Sequence, residues 1–403
     1  MKKIICIIAT LVMISALSFL NSCKKDDPPA VQYLYGGWIT GHVFAENGTT
    51  PIAMANVFVD YEGEIYFTKT DADGYFKLLA PEGNQVLHIQ TGKGKIFRTY
   101  MDVEIARNTI TEIPEATVKL QQVVNLAYIT GAYDEIQDII VQSLGYTATP
   151  ILLDDLDNLS TLQNYGAIFI NCGTHYGFSE LRWDNVRQFV EQGGSLYVSD
   201  WAVSSLIGYL SGTKMDESKE RNAWYLPETT SKTCPARTGG FIGTDNLCTQ
   251  RSGLATVVHD AVVMNEELAT WLGTNTIDIE YDLPAWEVIK VLGNNWETLI
   301  YDDNHGYGPL AVRTNFNGSG GLSNKNGNQT WITICHYPPG NPANPQTITI
   351  PISAWPAHEA HGDHIGSCEG NGGSIVFTTF HNHPHEAVDE NIQKILEYFI
   401  INL

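Results

Sequence analysis

Phe189-Val190-Glu191-Gln192-Gly193-Gly194-Ser195-Leu196-Tyr197-Val198-Ser199-Asp200-Trp201 is the stretch on which the fold turns. Trp183, Val186, Phe189 and Val190 fall at helical spacing, and Gly193-Gly194 ends that helix. Ser195–Ser199 is a short apolar run of the kind buried on both faces of a sheet. An apolar helix from Trp201 to about Leu210 follows without a linker. Helix, tight glycine turn, buried strand and helix in succession point to a parallel sheet with helices on both faces.

The same alternation extends outward on both sides. Upstream, Val124–Ile129 reads as a buried strand. Ile136, Ile139, Ile140 and Leu144 make a helical stripe with Gly145 as its C-terminal stop. Pro150–Leu153 and Ala167–Asn171 read as two more strands. Downstream, Pro309–Asn315 reads as the penultimate strand and Ser374–Phe380 as the last one. A closing helix over Ala387–Ile400 carries Val388, Ile392, Ile395 and Phe399 on one face.

Residues 36–120 follow a different rule. Ile39-Thr40-Gly41-His42-Val43, Ala55-Asn56-Val57-Phe58-Val59 and Thr68–Phe76 are short period-2 segments divided by Asn47-Gly48, Asp73-Gly74 and Pro81-Glu82-Gly83. Such spacing predicts a small antiparallel sandwich. Asp71 and Asp73 beside Gly74 read as an Asx-type turn between strands rather than as calcium ligands.

The amino-terminal end supplies the address. Lys2-Lys3, the apolar run Ile4–Ala16 and Leu20-Asn21-Ser22-Cys23 have the build of a signal peptide, and the run is shorter than the roughly 20 residues of a spanning helix. Residues 1–22 resemble a bacterial lipoprotein signal, which implies lipidation at Cys23. Residues 23–35 then form a tether, and Lys24-Lys25-Asp26-Asp27 resembles a surface-export tag of Bacteroidetes-type lipoproteins. The implied location is the outer membrane of a Gram-negative bacterium, lipid-anchored and facing the cell surface.

A net charge of −22 over 403 residues opposes binding to nucleic acid. The expected partners are the membrane, through the lipid, and a glycan or another surface protein. Setting aside Cys6 and Cys23, five cysteines remain: Cys172, Cys234, Cys248, Cys335 and Cys368. In an oxidising compartment Cys234 with Cys248, and Cys335 with Cys368, are the natural local disulfides, leaving Cys172 unpaired.

Two resemblances give these patterns family names. Gly41-His42-Val43, Pro51–Val57, Thr70–Phe76 and Pro81-Glu82-Gly83 resemble the carboxypeptidase regulatory-like (transthyretin-like) domain, an accessory module without catalytic residues. Residues 123–403 resemble the class I glutamine amidotransferase-like superfamily, above all its trehalose-utilisation-type branch, through the strand–helix order, Phe189–Leu196 and Phe377-Thr378-Thr379-Phe380-His381-Asn382-His383. The implied architecture is multidomain: an all-β transthyretin-like sandwich, then an α/β flavodoxin-like, doubly wound parallel sheet.

That superfamily works with a Cys-His-Glu triad whose cysteine sits on a Gly-flanked turn. Here the turn reads Val198-Ser199-Asp200-Trp201-Ala202, with neither cysteine nor glycine. His381 matches the family histidine, whereas Glu386 lies farther along than the family glutamate. The base is therefore expected and its nucleophile is not. Cys172 ends a strand at the edge where such sheets bind ligands, but one strand too early, and a structural thiol is its simpler reading. Asp200 reads as a helix N-cap or, alternatively, as a general base or nucleophile. His381, His383 and His385 alternate and are open to a metal reading; a polar rim loop is the plainer one. The leading expectation is a non-catalytic binding protein. Two alternatives are a hydrolase or isomerase of sugar-type substrates with His381 and Asp200 in acid–base roles, and a metal-binding protein.

The metal reading centres on residues 322–373, which interrupt the α/β pattern. Cys335-His336-Tyr337-Pro338-Pro339-Gly340-Asn341 and Ala357-His358-Glu359-Ala360-His361-Gly362-Asp363 resemble a small module recurring in bacterial secreted proteins. Cys335, His358, His361 and Cys368 have the donor types of a structural zinc site, with His336 and His364 as further ligands. The competing reading, a Cys335–Cys368 disulfide, closes a loop of about 33 residues and is worth about 3–4 kcal/mol by chain entropy. No cofactor is expected on the disulfide reading; zinc is the one cofactor the motif admits.

Overall fold

The computed structural model describes residues 36–62, 64–92, 94–114, 118–173, 179–206, 247–292, 296–317, 322–324, 330–337, 346–351, 354–360, 363–365, 371–382 and 390–403. Cys23, Cys234, His361, Cys368, His383, His385 and Glu386 lie outside them. Cys335 and Cys248 are described in their backbone alone, so both predicted disulfides and the cysteine-based zinc set also fall outside.

The chain from Gly36 opens with two four-stranded sheets facing each other. The first joins β1 (Gly36–Phe44), β4 (Tyr75–Pro81), β7 (Ile110–Glu112) and β8 (Val118–Lys119). The second joins β2 (Asn56–Tyr61), β3 (Glu64–Lys69), β5 (Gly83–Gln90) and β6 (Arg98–Ile105). Period-2 alternation puts Ile39, Val57, Phe76, Leu78, Leu87 and Ile89 between them, all buried. The turn before β4 is of the Asx kind: Asp71 Oδ1 accepts from the N–H groups of Asp73 (3.0 Å) and Tyr75 (2.9 Å), and Gly74 takes φ +72°.

The second half follows in chain order. It begins β9 (Leu126–Ile129), α1 (Ile136–Asp138, running on as a π-helical stretch over Ile139–Ser143), β10 (Ala148–Ile151), α2 (Leu159–Leu162), β11 (Ala167–Ile170), α3 (Glu180–Glu191), β12 (Ser195–Ser199) and α4 (Trp201–Leu206). Next come β13 (Leu247–Gly253), β14 (Thr256–Val263), α5 (Glu266–Leu272), β15 (Thr276–Tyr281), β16 (Trp286–Leu292), β17 (Glu297–Asp302) and β18 (Gly308–Asn317). A small sheet is then inserted: β19 (Leu322–Asn324), β20 (Thr330–His336), β21 (Gln346–Pro351), α6 (Trp355–Ala360) and β22 (His364–Ile365). β23 (Asn371–Thr378) and α7 (Glu390–Asn402) close the chain.

The central sheet has nine strands in the order β10-β9-β11-β12-β23-β18-β17-β14-β15. The first five run parallel, in the sequence second, first, third, fourth, last. The other four are antiparallel to their neighbours, so the sheet is mixed and not the wholly parallel one expected. The connections differ: α5 returns the chain from β14 to β15 as an antiparallel neighbour instead of crossing over to lay it parallel, and among the described residues no helix lies between β15 and β18. Both faces are covered, as expected. Ala127, Ile129, Ile168, Ile170, Val198 and Phe377 pack with Val186, Phe189 and Val190 of α3. On the other face lie Leu126, Phe169, Tyr197 and Val376 with Ile139, Ile140, Ile395 and Phe399.

That second face continues without a break into the sandwich. Ile39, Val57, Phe76, Phe97 and Leu120 belong to the same buried cluster as Leu126 and Phe399. Residues 36–403 are one compact unit. Polar contacts pin the seam. Asn47 Nδ2 donates to the Ser143 carbonyl (2.6 Å), Tyr146 Oη to that of Leu120 (2.9 Å), and Thr91 Oγ1 to that of Ile401 (2.7 Å). Gly145 takes φ +80°, and a Cβ there would meet Asn47 N at 2.6 Å.

The sheet ends in two guarded edges. β10 carries Pro150, which has no N–H to offer a further strand. β14, beside the other edge strand β15, has a bulge between Val258 and Ala261, with Asp260 at φ +55° and Asp278 bound to His259 and Asp260 N–H.

Candidate functional site

Four parallel strands end on one side of the sheet, and the loops leaving them converge. β9 leads to Asp134, β11 to Cys172, β12 to Asp200 and β23 to His381. The carboxyl edge of a parallel sheet, near the strand-order reversal, is where such folds bind ligands.

Asp200 joins β12 to α4 with no intervening residue, and its φ is +39°. That left-handed value is costly for a residue with a Cβ, on the order of 1 kcal/mol or more. It also overturns the N-cap reading, because an N-cap residue has extended backbone angles. The carboxylate is directed elsewhere: Oδ1 accepts from Glu287 N–H at 2.8 Å, and Oδ2 lies 3.5 Å from Cys172 Sγ. Asp200 N–H donates to the Thr378 carbonyl at 2.7 Å, which ties the turn to β23.

His381 completes the cluster. Its Nδ1 lies 3.7 Å from Asp200 Oδ2, and its Nε2 lies 3.8 Å from Oδ1 of the partly exposed Asp282. Cys172, Asp200 and His381 therefore share one buried locus, with ligand-type atoms all within 4.8 Å of one another. The sequence nominated all three residues but not their convergence.

A second layer supports them. Ser199 Oγ donates to Asp134 Oδ2 and accepts from Cys172 N–H (2.9 Å), while Asn382 N–H donates to Asp134 Oδ1 (3.1 Å). Glu287, nearly buried, pairs with Arg251 at 3.2 Å, and the Arg251 guanidinium stands 4.3 Å from the ring centroid of Trp201. Asp134, Asp282, Glu287 and Arg251 escaped the sequence reading. Only Asp134 had a visible signal, its place shortly after a parallel strand.

Burial sets the electrostatics. It pushes the Asp200 carboxyl well above the usual carboxylate range, against the pull of Glu287 N–H. It pushes Asp134 up to about 6, although Ser199 and three backbone N–H groups favour the charged form. The Cys172 thiol is raised by burial and then by the Asp200 charge. A thiol raised in this way forms less thiolate at neutral pH, the form a nucleophilic cysteine needs. A carboxyl raised above its usual range and set beside an imidazole is instead a proton donor and acceptor pair.

The inserted sheet holds a separate cluster. Asp363 Oδ2 lies 2.7 Å from His336 Nδ1 and 2.6 Å from His358 Nδ1, and Oδ1 accepts from Tyr337 N–H at 2.7 Å. The Cys-His and Ala-His…Gly-Asp ends of the motif meet on this one carboxylate. Asp363 closes the Ala-His-x-x-His-Gly-Asp pattern, and nothing in its spacing marks it as the residue on which both ends meet.

Trp201, Trp286 and Trp296 are buried in the core and offer no exposed ring face for a sugar to stack on.

No protein-family model matches the chain. No curated protein matches it. Among solved structures, a ThuA-like protein from Bacteroides uniformis is similar with a TM-score of 0.29 and 15% sequence identity, over 47% of this chain and 76% of that one.

Proposed function

We propose that the chain is a lipid-anchored extracytoplasmic protein with a proton-transfer site for small polar, sugar-type substrates. In this reading the nine-stranded layer is a class I glutamine amidotransferase-like domain of the trehalose-utilisation type. Its thiol nucleophile has been exchanged for a carboxyl, and the sandwich is a carboxypeptidase regulatory-like accessory. The observation that carries the reading is Asp200: a buried carboxyl in a left-handed strand–helix turn, beside His381. Strain kept at such a turn marks function more often than stability. In the reaction, Asp200 and His381 exchange the proton that a hydrolase or isomerase must move. Membrane attachment rests on Cys23 and its flanking sequence; among the described residues no helix is long and apolar enough to cross a membrane.

The test is a panel of mono- and disaccharides incubated with the full chain in deuterium oxide. Solvent deuterium entering a sugar C–H, or release of reducing ends, supports the reading if Asp200→Asn and His381→Gln abolish it and Cys172→Ala does not. Absence of turnover across the panel removes it.

A second reading, glycan binding without chemistry, draws on a groove of about 640 Å³ at the seam between sandwich and sheet. Glu46, Gln122, Asn125, Gln163 and Asn164 line it, together with Tyr165. Amides beside an aromatic ring suit sugar hydroxyls and ring faces. Saturation-transfer NMR with the same sugars, lost on Asn164→Ala but kept in Asp200→Asn, would favour it.

A further inference from the structure

The His336–His358–Asp363 cluster lies apart from the Asp200 site, in the inserted sheet, and it is built from three separate elements. His336 ends β20. His358 sits on α6, which packs against β3 of the sandwich. Asp363 immediately precedes β22, whose pairing with β20 (Cys335 opposite His364) brings Asp363 level with His336. Ile334 and Ile350, with Trp355 packed against them, form an apolar patch in the same small sheet.

The donor atoms converge. Both imidazoles present Nδ1 to the same carboxylate oxygen, with ring centroids 5.3 Å apart and planes at 79°. Asp363 has no side-chain exposure, while the two histidines are each about one-fifth exposed, at 21% and 20%, so the locus has a closed floor and a wet side. A hydrogen-bonded hub needs only that one carboxylate accept two N–H groups. Two imidazole nitrogens and a carboxylate oxygen within 4.8 Å of one another can also supply three of the four corners of a tetrahedral ion. With bonds of about 2.0–2.2 Å, such donors stand about 3.3–3.6 Å apart, so the histidine–aspartate distances of 2.7 and 2.6 Å must open by about 0.6–1 Å when an ion enters.

We infer that His336, His358 and Asp363 bind one divalent late transition metal, of the zinc or cobalt type, with a fourth position open on the exposed side. Imidazole nitrogen selects against calcium and magnesium, which take oxygen donors. Binding exchanges no net proton while the imidazoles are neutral: each passes from the Nδ1–H to the Nε2–H form as Nδ1 takes the metal. The site differs from the cysteine set that the motif's composition suggests, since Asp363 joins His358 and His336 as a ligand and nothing is asked of Cys335 or Cys368. It is also independent of the proposed proton-transfer site.

The test uses the full chain, stripped with chelator and titrated with cobalt(II) and zinc(II) alone. The expected result is one equivalent bound at micromolar or tighter affinity. Cobalt should give visible d–d bands of a low-coordinate site and no thiolate-to-cobalt charge-transfer band. His336→Gln and His358→Gln should each weaken binding by more than about 100-fold, while Asp200→Asn and His381→Gln leave it unchanged. The wild-type spectrum stands even if a histidine variant fails to fold. A strong thiolate band, affinity retained in both folded histidine variants, binding lost with Asp200→Asn, or no binding of either ion to the native chain at 100 times the protein concentration would overturn the assignment.

Discussion

Asp200 Oδ2 and His381 Nδ1 stand 3.7 Å apart at the ends of two adjacent parallel strands, joined by a backbone bond from Asp200 N–H to Thr378. Because β12 and β23 are ladder neighbours, the pair is set by the sheet and not by loop placement. The strain at Asp200 should then be separable from its chemistry. Asn tolerates left-handed angles and carries no charge to desolvate. Asp200→Asn is expected to fold with stability at pH 8 equal to wild type or up to about 2 kcal/mol higher, while losing any sugar turnover. Urea denaturation beside the deuterium-exchange assay checks both halves.

Cys172 is a free, fully buried thiol raised further by Asp200. It should resist a thiol reagent such as DTNB in the native chain at pH 8 and react at once in denaturant. Rapid native labelling, or loss of function in Cys172→Ala, would restore it as a nucleophile. No glutamine hydrolysis is expected from either protein.

Asp134 gives a pH signature. Its folded value of about 6 lies above the unfolded carboxylate value of 3.8, so the native state holds the proton more tightly. The associated stability is fully present below pH 3.8 and is lost as pH rises through 6. Between pH 4 and 8 wild type should lose about 2 kcal/mol relative to Asp134→Asn. Denaturant titrations of both proteins at the two pH values measure this; a constant difference between them would contradict it.

The seam between sandwich and sheet makes a mechanical prediction. Gly145→Ala forces a Cβ into a left-handed residue and onto Asn47 N, and should cost about 1–3 kcal/mol. Since the buried cluster is continuous from Ile39 to Phe399, calorimetry should show one unfolding transition for residues 36–403. Two resolved transitions would mean that the layers hold separately.

Period-2 and period-3.6 patterns exposed the elements with the most regular burial. β1, β2, β9, β11, β12 and β23, α3 and the closing helix were all legible, as were the Asx turn at Asp71 and the return of the α/β sheet after the insertion. The antiparallel half was not. β15 alternates cleanly from Thr276 to Tyr281, yet nothing in a single sequence says which neighbour it will pair with or in which direction. The site was half legible for the same reason. Cys172, Asp200 and His381 each stood at a recognisable strand end, whereas Asp282 follows β15 of that unread half and Arg251 and Glu287 reach the cluster from the separate two-stranded sheet of β13 and β16. The left-handed turn at Asp200 was hidden because an aspartate before a helix ordinarily signals a cap.

Pro150 at one margin of the nine-stranded sheet cannot donate to a further strand, and the bulge in β14 disturbs the ladder that carries the other margin strand, β15. A sheet of this width would otherwise invite sideways polymerisation. These two margins work against edge-to-edge growth from one copy of the chain to the next.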